Sequence, residues 1–116
     1  MRDERLIVSR IVTELMGFFF SMGASDIRVN VLKKEGEYEV SMDSDYSGSP
    51  AGKIREMTRL LRMPRAPEME DYSWSLSGDV STGQEIYLVG ILTDSVSVDH
   101  DEKAGRVRVV LTRRWA

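Results

Sequence analysis

The chain has 116 residues, 41% hydrophobic and 30% charged, with a net charge of -3 and no cysteine. That length suits a single domain over residues 1–116 with a core of its own, and the missing thiols exclude disulfides, thiol catalysis and thiolate metal sites. No uncharged apolar run reaches the roughly 18 residues of a membrane helix, and the mildly acidic balance gives no general basic field for nucleic acid. Met1-Arg2-Asp3-Glu4-Arg5 lacks the pattern of a secretory leader. The expectation is a cytoplasmic protein with neither membrane nor nucleic acid as partner.

In residues 3–22, Leu6, Ile7, Ile11, Leu15, Phe18, Phe19 and Met22 recur at steps of three and four, which predicts an amphipathic helix. Val8, Val12, Met16 and Phe20 widen its stripe, so cover on more than one side is expected, and Gly23 supplies a left-handed stop. Two alternating runs follow. In 26–32, Ile27, Val29 and Val31 share a face; in 37–43, Tyr38, Val40 and Met42 do. Lys33-Lys34-Glu35-Gly36 joins them as a hairpin loop. The opposite faces carry Arg28, Asn30, Glu37, Glu39 and Ser41, as in a sheet covered on one side.

Residues 44–52 read as a loop. A second helix is predicted from Pro50 or Ala51 to Met63, with Ile54, Met57, Leu60 and Leu61 inward and Arg55, Arg59 and Arg62 as a basic stripe. Pro64 and Pro67 open an irregular segment through residue 79, in which Tyr72, Trp74 and Leu76 suit a short strand or a covering flap. Thr82-Gly83-Gln84-Glu85 has the form of a capping box and predicts a helix to about Thr93, although residues 86–92 are apolar enough for a buried strand. A last hairpin follows: 95–99, a polar turn 100–105, and 106–114 with Val107, Val109 and Leu111 inward. The order predicts an α/β (α+β) two-layer sandwich, a mixed, mostly antiparallel sheet with helices on one face.

Several residues invite chemistry, and each has a plainer reading. Glu14 on the first helix could act as a general base or be a glutamate at the stripe's edge. Asp43 at a strand end could accept a ligand's amino group or hold an Asx turn. Ser81-Thr82-Gly83 could offer amides to a phosphate, but Glu85 would oppose one and an ordinary helix cap suffices. His100 with Asp99, Asp101 and Glu102 reads as a solvated turn, because contiguous side chains in a hairpin cannot converge on one ion. The arginine stripe reads as a solvated face or as contact for an anionic ligand or acidic partner.

The pieces in their order resemble the GHKL-type ATP-binding domain of DNA gyrase, heat-shock chaperones, histidine kinases and mismatch-repair ATPases, with the anti-sigma-factor serine kinases nearest in size. The resemblance runs through Thr13-Glu14-Leu15-Met16-Gly17-Phe18, Gly23-Ala24-Ser25-Asp26-Ile27-Arg28-Val29, Val40-Ser41-Met42-Asp43-Ser44-Asp45-Tyr46-Ser47-Gly48, Ser81-Thr82-Gly83-Gln84-Glu85-Ile86-Tyr87-Leu88-Val89 and the closing hairpin. It implies a histidine-kinase-ATPase-like fold, Glu14 as the activating glutamate, and Asp43, Gly83 and Thr112 on ATP or ADP. The family's magnesium asparagine is Phe18 here, which has no hard oxygen donor. Its paired glycines after the aspartate are Asp45 and Ser47, and its phosphate loop keeps only Gly83. With no metal ligand at that position, phosphoryl transfer is not expected. The resemblance therefore implies a degenerate domain acting as a regulatory or scaffold module beside a protein partner, with weak adenine-nucleotide binding and no turnover. The alternatives are an active serine or histidine kinase or ATPase, and a pure protein-interaction module whose pocket Phe18, Phe19 and Tyr46 fill.

Overall fold

The computed structural model describes residues 3–66, 68 and 86–115. Its first element is helix α1 (Glu4–Ser21), which starts where the Asp3 carboxylate accepts from the Arg5 amide at 2.9 Å. An acceptor there satisfies one of the donors that every helix start leaves open. The helix stops at Gly23, whose φ of 84° only glycine adopts without strain. A Cβ at Gly23 would stand 2.0 Å from the Ser47 hydroxyl oxygen. The Ser47 amide also donates to the Met22 carbonyl at 3.0 Å, so the helix end is tied to the loop that follows the first hairpin.

That hairpin consists of β1 (Ile27–Lys34) and β2 (Glu37–Asp45). Pairing continues to Lys34 opposite Glu37, so the connection is the two-residue turn Glu35-Gly36 rather than a four-residue loop. Gly36 at φ 82° permits the tight turn. Helix α2 (Ala51–Leu61) buries Ile54, Met57 and Leu61, and helix α3 (Tyr87–Ile91) buries Leu88, Val89, Gly90 and Ile91. The expected cap at Thr82–Glu85, the flap of Tyr72, Trp74 and Leu76, and Gly83 lie outside the described residues. Among those described, the helical reading of 86–92 holds for Tyr87–Ile91. Strands β3 (Ser95–Asp101) and β4 (Arg106–Arg114) close the chain. The last turn therefore contracts to residues 102–105, and His100 belongs to a strand.

The sheet order is β1-β2-β4-β3, and every pairing is antiparallel. The fold is thus α+β, an open four-stranded antiparallel sheet with helices on one face. Tyr38, Val40, Met42 and Ser44 on β2 and Val107, Val109, Leu111 and Arg113 on β4 point into the helix layer and are buried. Ile7, Ile11, Leu15 and Phe19 of α1 close over them. Burying a large apolar side chain contributes about 1.5–3 kcal/mol, so this layer supplies most of the stability. The wider stripe of α1 is covered in part, with Val8 buried in the core and Val12 and Met16 packed against it. Val12 and Met16 are half-buried and Phe20 is 59% exposed.

Two features lock the layers together. Arg113 is buried at the end of β4; it donates to both carboxylate oxygens of Glu4, at 3.1 and 3.0 Å, and to the Leu92 carbonyl at 2.8 Å. A planar guanidinium suits such a fork, and its charge is matched where it is buried. Gly90 lets α3 approach α2 closely, since a Cβ there would come within 2.5 Å of the Leu60 carbonyl oxygen.

Candidate functional site

The alternation of β2 decides where Asp43 goes. Tyr38, Val40 and Met42 point toward the helices, so Glu39, Ser41 and Asp43 point to the open face of the sheet. There Asp43 is flanked across the strands by Arg28 on β1 and Arg108 on β4. Its carboxylate accepts from Nε of Arg106. Arg106 in turn donates to the Asp26 carboxylate at 3.2 Å and the Asp26 carbonyl at 3.3 Å. The Asp43 carboxylate raises the Arg106 pKa further above its ordinary value, the Asp26 charge adding to it. With Arg28, which also donates to the Asp26 carboxylate at 3.2 Å, Asp43 is therefore one member of a network of four side chains that ties β2, β4 and the start of β1.

Glu14 lies on the other side. It is 1% exposed on α1, in the helix layer, with Ile11, Leu15 and Phe18 of the same helical face buried beside it. Glu14 and Asp43 therefore do not share a cavity; the sheet stands between them. Phe18, in the position that the resemblance assigns to a metal ligand, is 9% exposed and belongs to the apolar core with Phe19. Tyr46 also packs against this core. Its hydroxyl lies 2.8 Å from Nε2 of His100, and the two rings meet edge to face with centroids 5.4 Å apart. This contact explains why His100 is half-buried on β3 rather than solvated in a turn.

Thr112 points to the same open face as Asp43 but opposes Glu39 and Ser95, and its hydroxyl is 2.6 Å from that of Ser95. It stands four residues along β4 from Arg108, the partner of Asp43, a distance of about 14 Å in a strand. The depression at Asp43, lined by Arg28, Asn30, Ser41 and Arg108, has a volume of about 240 Å³. Sites for drug-sized ligands run from about 300 to 1,000 Å³. Gly83, the remaining candidate, is outside the described residues.

Two features were not singled out from the sequence. Asp45, read as a replaced glycine, accepts from the Ser25 amide at 2.7 Å, the Ser25 hydroxyl at 2.5 Å and the Asp26 amide at 2.9 Å. The Ser25 hydroxyl and then these amides hold its pKa down to about 2. It pins the entry to β1 against the end of β2. The second is a groove of about 720 Å³ between α2 and β3, lined by Arg55, Thr58, Arg59, Arg62, His100 and Glu102 over Ile54 and Val98. The arginine stripe thus borders a concavity. Arg59 within it is engaged by Glu56 at 2.5 Å.

The described residues contain no group of His, Asp and Glu side chains placed to hold a metal ion, and none of their helices is long and apolar enough to cross a membrane. In comparison with known proteins, no family model and no curated protein matches this chain.

Proposed function

We propose that this chain is a non-catalytic regulatory or scaffold module, a degenerate form of the histidine-kinase-type ATP-binding domain, which acts by protein contact without nucleotide turnover. One observation carries the reading. Glu14 is enclosed in the helix layer, while Asp43 is held by Arg106 on the opposite face of the sheet. A kinase or ATPase needs its base and its nucleotide anchor around one cavity, with a metal on hard oxygen donors. Phe18 packs into the core at the position where such a donor is expected.

The α2–β3 groove favours a second reading, weak binding of an anionic ligand, adenine nucleotide included. Its volume lies within the range of small-molecule sites, and Arg55 and Arg62 bring positive charge to its wall. Calorimetry with ATP, with and without magnesium, separates the readings. Magnesium-dependent binding tighter than about 100 µM, or about -5.5 kcal/mol, overturns the non-catalytic proposal. Weaker, magnesium-independent binding that Arg55→Ala/Arg62→Ala removes and Asp43→Ala leaves intact establishes the groove. Absence of heat at millimolar ATP leaves the contact module alone.

A further inference from the structure

The groove beside α2 runs along an edge of the sheet. Among the described residues, β3 pairs with β4 and with no other strand. The Asp94 amide donates to the Thr112 carbonyl at 2.8 Å, so the even-numbered residues of β4 turn their backbone groups toward β3. Ser95, Ser97, Asp99 and Asp101 stand opposite those residues and return the bonds. Val96, Val98 and His100 therefore direct their amides and carbonyls outward, while their half-buried side chains face the helix layer. Val98 and His100 line the groove, and a further depression of about 230 Å³ continues it past Arg62 to Val96. One strand thus offers open backbone groups and a side-chain trough along the same three residues.

The wall of that trough is charged. Arg59 is held by Glu56, and Arg65 by Asp94. Arg55 and Arg62 are exposed and make no ion pair among the described residues. They stand seven residues apart, about 10 Å along the helix, with Ile54 and Val98 as an apolar floor between them. Glu102 is the acidic group of the lining and follows the end of β3.

We propose that this edge receives an extended segment of a protein partner, added to β3 as a further strand, with carboxylate, apolar and carboxylate side chains at alternate positions facing α2. The proposal rests on reading the chain as a contact module; it adds the surface and the chemistry of the partner. Alternate residues of an extended segment share a face and lie about 6.8 Å apart. An apolar residue opposite Val98 covers the floor. Carboxylates opposite Val96 and His100 meet Arg62 and Arg55, which border those two residues. The positions between them lie on the open face beside Ser97 and Asp99, where lysine suits and a carboxylate does not. A second copy does not match this pattern. Pairing β3 with itself about Val98 puts Val96, Val98 and His100 on the helix side and brings two sets of α2 arginines together. The β1 strand of a second copy presents Ile27, Val29, Val31 and Lys33 on that face, without a carboxylate.

The probe is the capped peptide Thr-Glu-Lys-Val-Lys-Glu-Thr, which reads the same in both directions and so serves parallel or antiparallel addition. It has no net charge, so bulk attraction does not explain its binding. In amide-resolved nuclear magnetic resonance of the full chain, it should saturate with a Kd below about 1 mM. At saturation the Val96, Val98 and His100 amides should exchange with solvent about tenfold more slowly. Arg55→Glu/Arg62→Glu should weaken this peptide about tenfold, while the peptide with both glutamates replaced by lysine gains affinity for that variant. Absence of saturable change at about 5 mM peptide overturns the proposal. Equal affinity of wild type and variant does so too, as does binding that leaves the three edge amides unprotected, which marks a small-anion site. A wild-type mass of twice 13.2 kDa in sedimentation, with the edge amides already protected, marks a second copy and also overturns it. Each of these results leaves the contact module standing; that reading falls instead to magnesium-dependent ATP binding.

Discussion

The two faces of the sheet separate what stabilises this protein from what looked like its chemistry. The helix-side face is apolar, closed by α1, α2 and α3, and interrupted by Glu14, Ser44 and Arg113 as buried polar groups. The open face carries polar and charged side chains in pairs, Asp43 with Arg106, Glu39 with Lys34 and Thr112 with Ser95. A carboxylate on each face made a pair in the sequence and makes none in the fold. Motif order alone does not make a site; the parity of a strand residue decides which compartment it joins.

The largest effects should come from the covered face. Phe19→Ala removes a fully buried ring and is expected to cost about 3–5 kcal/mol in denaturant unfolding. Arg113→Ala leaves the half-buried Glu4 without its guanidinium and should cost about 3 kcal/mol. Gly90→Ala forces α3 away from the Leu60 carbonyl and is expected to cost about 1–3 kcal/mol. If these three perturb stability no more than changes on the open face, the contrast between the faces is wrong.

Smaller effects test the polar ties. Asp45 has a folded pKa of about 2 against an ordinary value of 3.8. A depressed carboxylate stabilises the fold above its unfolded pKa, and the contribution disappears as pH falls from about 4 through 2. Asp45→Asn should therefore lower Tm at pH 6 and flatten the Tm-against-pH curve below pH 4; an unchanged acid limb would remove this role. Arg106→Ala frees Asp43 from its clamp and should lower Tm least of all, because the pair is partly solvent-accessible.

Much of the fold could be read from residue spacing. The period of α1, the alternation of β2 and β4, and the turn glycine Gly36 are local signals, and each element formed where they pointed. The open-face position of Asp43 was legible too, because it falls in step with Glu37, Glu39 and Ser41. Its clamp was not: Arg106 lies 63 residues away, and no local rule pairs distant side chains. The burial of Arg113 escaped for the same reason, since Glu4 and Leu92 reach it only after the sheet and helices assemble. The exposure of Val29 and Val31 depends on strand order. The hairpin looks alike as an edge or a centre until β4 pairs with β2.

The most direct measurement of the central claim is a nuclear magnetic resonance titration of backbone amides with ATP and magnesium. The account predicts no saturable shifts shared by the Glu14 turn of α1 and the Asp43 end of β2, whatever occurs at the α2–β3 groove. Shifts at both that saturate together, and that Asp43→Ala abolishes, would place the two carboxylates in one nucleotide site and contradict it.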